Sequence, residues 1–213
     1  MDSSLTNPSK ISGLYVITDT NLMDESNLIE KVRLSLKGGA KIVQFRDKVS
    51  NQNTKLNLAK QLKQLCQSYQ AWFIINDDIQ LAKQIAADGV HIGKDDQDII
   101  QARKQLGDKA IIGVSCYNDL ERASQMQALG ASYVAFGRFF PSKTKPDAPQ
   151  ADLATLQKAK TSLTIPIVAI GGITAHNAQS LIDAGADSVA VIQGVFASEN
   201  IQSQSQQIQD LFC

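Results

Sequence analysis

Acidic, basic and hydroxyl residues gather in a few short clusters, each directly behind an apolar run. The first is Gln44-Phe45-Arg46-Asp47-Lys48. In an extended chain side chains alternate, so Gln44, Arg46 and Lys48 share one side. Two cations and an amide there suit an anionic ligand, since Arg offers a forked donor set and Lys a mobile point charge. The same residues also fit a solvated strand end with an Arg46–Asp47 or Asp47–Lys48 surface pair. The second cluster, Asn76-Asp77-Asp78, follows Trp72-Phe73-Ile74-Ile75. Adjacent carboxylates repel unless a cation sits between or beside them. Mg²⁺ takes one or two carboxylates together with waters and phosphate oxygens. Either Asp77 or Asp78 can instead cap a helix beginning near Ile79.

A third cluster, His91-Ile92-Gly93-Lys94-Asp95-Asp96, lies behind the next run. Neighbouring parallel strands are ~4.8 Å apart, so acids from both loops can reach one ion. Asp77 and Asp96 form the expected metal pair. His91, with an aliphatic residue on each side, reads as an oriented interior histidine rather than a ligand. Next come Gly113-Val114-Ser115-Cys116, whose hydroxyl can donate to phosphate or cap a helix near Asn118. Residues 137–149 are the longest non-periodic stretch, holding three of the five prolines and the alternating set Ser142-Lys143-Thr144-Lys145. A long loop of that kind suits a lid or a phosphate-binding segment. Last are Gly171-Gly172-Ile173-Thr174 and Ile192-Gln193-Gly194-Val195, where glycines allow close approach of backbone N–H groups to an anion.

These clusters need a scaffold that brings successive strand ends to one face. Eight apolar, β-branched runs are read as strands: 13–18, 42–45, 72–75, 89–92, 110–114, 133–136, 167–170 and 188–192. They are continuous rather than alternating, as for parallel strands covered on both faces. Helical spacing links them, for example Leu56, Leu58, Ala59, Leu62 and Leu65, or Ala123, Met126, Ala128 and Leu129, or Ala178, Leu181, Ile182 and Ala184. Glycines in Gly39-Ala40, Asp88-Gly89, Gly130-Ala131 and Gly185-Ala186 mark helix ends turning into strands. Eight β–α units in this length predict a single (β/α)₈ TIM barrel, an α/β fold whose catalytic groups sit at the C-terminal strand ends. Residues 1–11 are expected to be a flexible N-terminal segment and 12–213 the catalytic barrel, closed by an amphipathic helix within 197–213.

The chain has 213 residues, 43% hydrophobic, with Lys plus Arg and Asp plus Glu both at 21. A net charge of zero lacks the broad basic field that nucleic-acid binding needs. Cys66, Cys116 and Cys213 are sparse and odd in number, which fits reduced thiols. No run reaches the ~18 apolar residues of a membrane span, and the polar start lacks the apolar core of a signal peptide. A cytoplasmic enzyme acting on small phosphorylated molecules, without nucleic acid or membrane as partner, is expected; a homo-oligomer is left open.

The ordered set Q-F-R-D-K, N-D-D, H-I-G-K-D-D, G-V-S, G-R-F-F-P-S-K-T-K-P-D-A-P and A-I-G-G-I-T resembles the thiamine-phosphate synthases over about residues 13–195. The resemblance implies a transferase that joins 4-amino-2-methyl-5-(diphosphooxymethyl)pyrimidine to a thiazole phosphate, carboxylated or not, releasing pyrophosphate. It implies Mg²⁺ on Asp77 and Asp96. It implies Gln44, Phe45, Arg46, Asp47, Lys48 and Asn76 around the pyrimidine diphosphate. Ser115 and Lys145 would contact pyrophosphate, with Arg46 and Lys48 completing the catalytic set. Ser142, Lys143, Thr144, Gly172, Ile192 and Gln193 would form the thiazole phosphate site. The chain departs from the family pattern at Asp47, at Lys94-Asp95 and at Gln193, where Ser is common; there an amide or a backbone N–H would replace a hydroxyl. A thiazole tautomerase-like isomerase on the same barrel would lack the acidic pair and carry a histidine after the fifth strand, where this chain has Cys116-Tyr117. A sugar-phosphate epimerase would need more metal histidines than His91 and His176. A non-catalytic sensor of thiamine precursors would bind without releasing pyrophosphate.

Overall fold

A computed structural model of the chain describes residues 11–93, 99–141 and 150–213. Eight parallel strands close into a barrel in sequence order: β1 (Gly13–Ile17), β2 (Ile42–Phe45), β3 (Trp72–Asn76), β4 (Gly89–Ile92), β5 (Ile111–Tyr117), β6 (Tyr133–Phe136), β7 (Ile167–Ile170) and β8 (Ser188–Val191). The ring closes through β1 against β8, with Gly13 opposite Ser188 and Val16 opposite Val191. Helices follow the strands: α1 (Leu28–Lys37), α2 (Gln52–Ser68), α3 (Ile79–Gln84), α4 (Ile99–Leu106), α5 (Leu120–Ala128), α6 (Leu153–Ser162), α7 (Ala178–Asp183) and the short α8 (Gln193–Phe196). A last helix, α9 (Ile201–Gln209), buries Ile201 and Ile208 and runs into a single 3₁₀ turn at Asp210–Phe212. The Gln209 side chain accepts the Leu14 N–H at 2.9 Å, which ties this helix to the start of β1.

The two faces of each strand explain why the runs lacked alternation. Outward residues such as Leu14, Val16, Val43, Phe45, Phe73, Ile75, Val134 and Phe136 bury against the helices in one large core. Inward residues, among them Ile11, Tyr15, Ile17, Ile42, Ile74, Ile111, Tyr133 and Val168, fill the barrel itself. Each fully buried aliphatic or aromatic side chain contributes on the order of 1.5–3 kcal/mol, set against the entropy of ordering it. Ile11 is 1% exposed and packs within the inner cluster.

Polar side chains start several helices. Asn51, Asp78, Asp119, Asp152 and Asn200 each accept a backbone N–H from the first turn of the helix that follows. Gly39, Gly130 and Gly185 take positive φ where helices turn into strands. Gly89 does not: it opens β4, and a Cβ there would meet the Ile111 carbonyl oxygen at 1.9 Å. The fifth strand runs further than its apolar residues suggest. It continues through Ser115 and Cys116 to Tyr117, with a bulge between Ser115 and Tyr117 against β6. Ser115 is therefore a strand residue, and the α5 cap is Asp119.

Candidate active site

The C-terminal ends of the strands surround one cavity of about 600 Å³. That volume is in the range of small-molecule sites. From β2 it receives Gln44, Arg46 and Lys48, from β3 Asn76 and Asp77, from β4 His91 and from β5 Ser115. Gly172, Ile192 and Gln193 line the side under β7 and β8. Strand parity thus brings together the polar residues that lie up to 149 positions apart in the chain.

Each polar group is held by its neighbours. The Arg46 N–H donates to Thr18 Oγ1 at 2.8 Å, and that hydroxyl donates to the Arg46 carbonyl at 3.1 Å, which fixes the arginine backbone to the end of β1. Asp77 has φ +62°. Asp tolerates this left-handed conformation better than most residues, and here it turns the carboxylate toward the rim. The Asp77 N–H donates to the His91 carbonyl at 2.9 Å, locking that turn to β4. Lys48 Nζ lies 2.5 Å from Asp77 Oδ2, and Asn76 Nδ2 donates to the same oxygen. Asp78 points away and caps α3 through the Leu81 N–H at 2.8 Å. The adjacent acids therefore divide the two roles open to them, rim carboxylate and helix cap.

Two residues of the β2 motif face elsewhere. Phe45 is 2% exposed in the outer core between strands and helices, because odd parity on β2 points outward. Asp47 accepts the N–H groups of Val49 and Ser50, both at 2.9 Å, and so shapes the turn behind the strand. Burial acts to raise its pKa, but those hydrogen bonds and Lys55 outweigh it and hold the carboxyl below its ordinary value. Both border a smaller hollow of about 300 Å³ shared with Lys48 and Asp77. Lys94, Asp95 and Asp96, and Ser142, Lys143, Thr144 and Lys145, lie outside the described residues.

The glycines of the β7 loop serve a second purpose. Gly172 has φ +63°, and a Cβ on it would meet the Pro141 carbonyl oxygen at 2.4 Å and Phe140 Cβ at 2.8 Å. The missing side chain lets the loops after β6 and β7 pack backbone to backbone, beside the cavity wall.

Two polar lining residues, Tyr15 and Tyr133, did not stand out in the sequence, whereas Arg138 belongs to the 137–149 loop motif. Tyr15 and Tyr133 are fully interior, with hydroxyls 2.8 Å apart. Tyr133 Oη is also 2.9 Å from His91 Nδ1, and His91 Nε2 is 2.9 Å from Ser115 Oγ. Inward parity with Gln44 and His91 was the available signal. Burial drives both phenol pKa values up, so the phenols stay neutral.

Among the described residues no group of three or more His, Cys, Asp or Glu side chains is placed to hold a metal. Asp77 offers a carboxylate to the cavity, and a hard divalent cation needs only one or two beside waters and ligand oxygens. The donor chemistry fits such an ion at Asp77. Arg46 and Lys48 line the same cavity, with the Ser115 hydroxyl, and cations and hydroxyls of this kind suit an anionic ligand.

The chain is also similar to known proteins. Residues 14–195 match the family model described as thiamine monophosphate synthase. A thiamine-phosphate synthase of Nitrosococcus oceani is 53% identical over 195 residues, covering 92% of this chain and 90% of that one. One from Methylobacillus flagellatus is 50% identical, covering 95% and 96%. The solved thiamine phosphate pyrophosphorylase of Pyrococcus furiosus superposes with a TM-score of 0.87 at 35% identity, over 98% of both chains.

Proposed function

The chain belongs to the thiamine monophosphate synthase family, and on that premise we propose that the β2–β5 rim holds the diphosphate that leaves during the reaction. The activity is that of a thiamine-phosphate synthase, a transferase acting on phosphorylated thiamine precursors. 4-Amino-2-methyl-5-(diphosphooxymethyl)pyrimidine and a thiazole phosphate give thiamine phosphate and pyrophosphate. No helix among the described residues is long and apolar enough to cross a membrane.

The observation that carries the proposal is the convergence of Arg46, Lys48, Asn76, Asp77 and Ser115 on one cavity. Breaking the bond between the pyrimidine methylene and its diphosphate leaves positive character on carbon and added negative charge on the leaving oxygen. The thiazole nitrogen then supplies the electron pair that forms the new C–N bond. Such a substitution needs a stabilised leaving group more than a strong base. Arg46 presents a forked cation from an anchored backbone. Lys48, half exposed on a four-carbon stem, can follow the departing oxygens. Asn76 and Ser115 add uncharged donors at fixed positions.

Asp77, with Asp96 from the neighbouring loop, would hold Mg²⁺, and Asp96 lies outside the described residues. Bound there, the ion would neutralise charge on the diphosphate. Lys145 would join the pyrophosphate contacts. Ser142, Lys143 and Thr144, with the backbone at Gly172, Ile192 and Gln193, would take the thiazole phosphate on the opposite side. A cavity of about 600 Å³ lies within the size range of small-molecule sites, which supports this reading. Gln44 lines the cavity, whereas Phe45 and Asp47 support the strand end from outside it. We further propose that residues 12–213 form the whole catalytic unit.

The test is to incubate the protein with both substrates and Mg²⁺ and quantify pyrophosphate and thiamine phosphate. Equal amounts of the two are expected, with none after EDTA and recovery on adding Mg²⁺. Binding without pyrophosphate release, or full turnover in EDTA, overturns the proposal.

A further inference from the structure

A chain of side-chain hydrogen bonds crosses the barrel interior below the cavity and ends on Ser115. Gln44 Nε2 is 2.7 Å from Tyr15 Oη, which is 2.8 Å from Tyr133 Oη. Tyr133 Oη is 2.9 Å from His91 Nδ1, and His91 Nε2 is 2.9 Å from Ser115 Oγ. The two phenol rings meet edge to face, with centroids 6.1 Å apart, and Tyr133 stacks along the imidazole at 5.7 Å. Space for this is made by Gly113, where a Cβ would lie 2.0 Å from the Tyr133 ring.

Such a chain can point either way, but its ends are not equivalent. An amide –NH₂ only donates, so Tyr15 accepts from Gln44 and has its own proton free for Tyr133. Tyr133 then donates to Nδ1. A neutral imidazole accepting at Nδ1 carries its proton on Nε2 and donates it to Ser115 Oγ. With a lone pair of Ser115 so occupied, its hydroxyl proton is directed toward the cavity.

We propose that Tyr15, Tyr133 and His91 are positioning residues that fix the direction of this chain and make Ser115 a hydrogen-bond donor to the anion in the cavity. The proposal rests on Ser115 facing the diphosphate. Reversed polarity would turn the serine proton onto His91 and present oxygen lone pairs to a phosphate, a repulsive contact. The network therefore selects anions at this position before any substrate arrives.

Two measurements test it. With only two histidines in the chain, ¹⁵N-labelled protein at about pH 8 gives a spectrum in which the neutral tautomer of each ring is read directly. His91 is expected as the Nε2–H form; an Nδ1–H form overturns the proposal whatever the kinetics show. The second is a mutant cycle. Tyr133→Phe keeps the ring and should lower kcat/KM for the diphosphate substrate about tenfold, the scale of one lost hydrogen bond to a charged partner. In a Ser115→Ala background the same change should cost less than about twofold, because the group it orients is gone. Equal losses in both backgrounds would make Tyr133 a packing residue and end the inference. If Ser115→Ala alone has no effect, the diphosphate role of Ser115 fails instead, while the tautomer result still decides the direction of the network.

Discussion

Replacing Asp77 by Asn separates charge from geometry at the rim. Asp77 sits at φ +62°, where an Ala would add on the order of 1 kcal/mol or more of backbone strain, whereas Asn tolerates that conformation. Asn also preserves volume, so the change removes the negative charge and little else. Its ion-pair partner Lys48 and the Asn76 amide both meet the carboxylate, with the Asp77 and Lys48 side chains 23% and 54% exposed. An ion pair that open to solvent contributes about 0–1 kcal/mol. In a chain of this size that lowers the melting temperature by no more than roughly 4 °C. Losing one of two carboxylates that hold the ion should cost far more in the transition state. Taking about 3 kcal/mol for weakened stabilisation of the leaving diphosphate, kcat falls roughly 10²-fold. The assay is pyrophosphate release at saturating substrates over a Mg²⁺ series, with a thermal melt on the same sample. Turnover near wild type at the same Mg²⁺, with an unshifted Mg²⁺ dependence, would refute the metal assignment.

Gly172→Ala should destabilise the chain by about 1–3 kcal/mol and lower activity, since φ +63° and a 2.4 Å approach to the Pro141 carbonyl leave no room for a methyl group; a melt unchanged within error contradicts the loop packing. Asp47→Asn probes the turn behind β2 through pH. Because the folded carboxyl titrates below its ordinary value, ionised Asp47 stabilises the fold above about pH 4, and that advantage is lost as pH falls through the depressed value. The stability gap between wild type and Asp47→Asn should therefore be full at neutral pH and close in acid, as read by urea melts across that range. Thiol reagents should modify Cys213 alone under native conditions. Cys66 and Cys116 are 0% exposed and burial raises both thiols, Cys116 to about 12. Rapid labelling of all three by mass spectrometry would contradict that packing.

Much of the barrel can be read from the chain because parallel strands covered on both faces leave unbroken apolar runs such as Trp72-Phe73-Ile74-Ile75. Their inward parity also predicts that Gln44, Arg46 and Lys48 line the cavity, and the geometry has them there. The end of β5 was less legible. Ser115 and Tyr117 look like loop residues, but Ser115 pairs with Ala135 and, past the bulge, Tyr117 pairs with Phe136, which keeps both in the sheet. The choice between Asp77 and Asp78 was likewise open, since either can cap a helix. It is settled by backbone conformation, with Asp77 turned left-handed and Asp78 accepting the Leu81 N–H. Tyr15 and Tyr133 were hidden for a different reason. Each looks like an ordinary core aromatic, and their meeting 118 residues apart depends on closure of the whole ring.

The central claim is that the β2–β5 rim grips the leaving diphosphate. A crystal structure with pyrophosphate and Mg²⁺ bound tests it most directly. Pyrophosphate oxygens are expected against Arg46, Asn76 and Ser115, with the cation on Asp77. Pyrophosphate seated only over Gly172 and Gln193, with Asp77 still paired to Lys48, would contradict it.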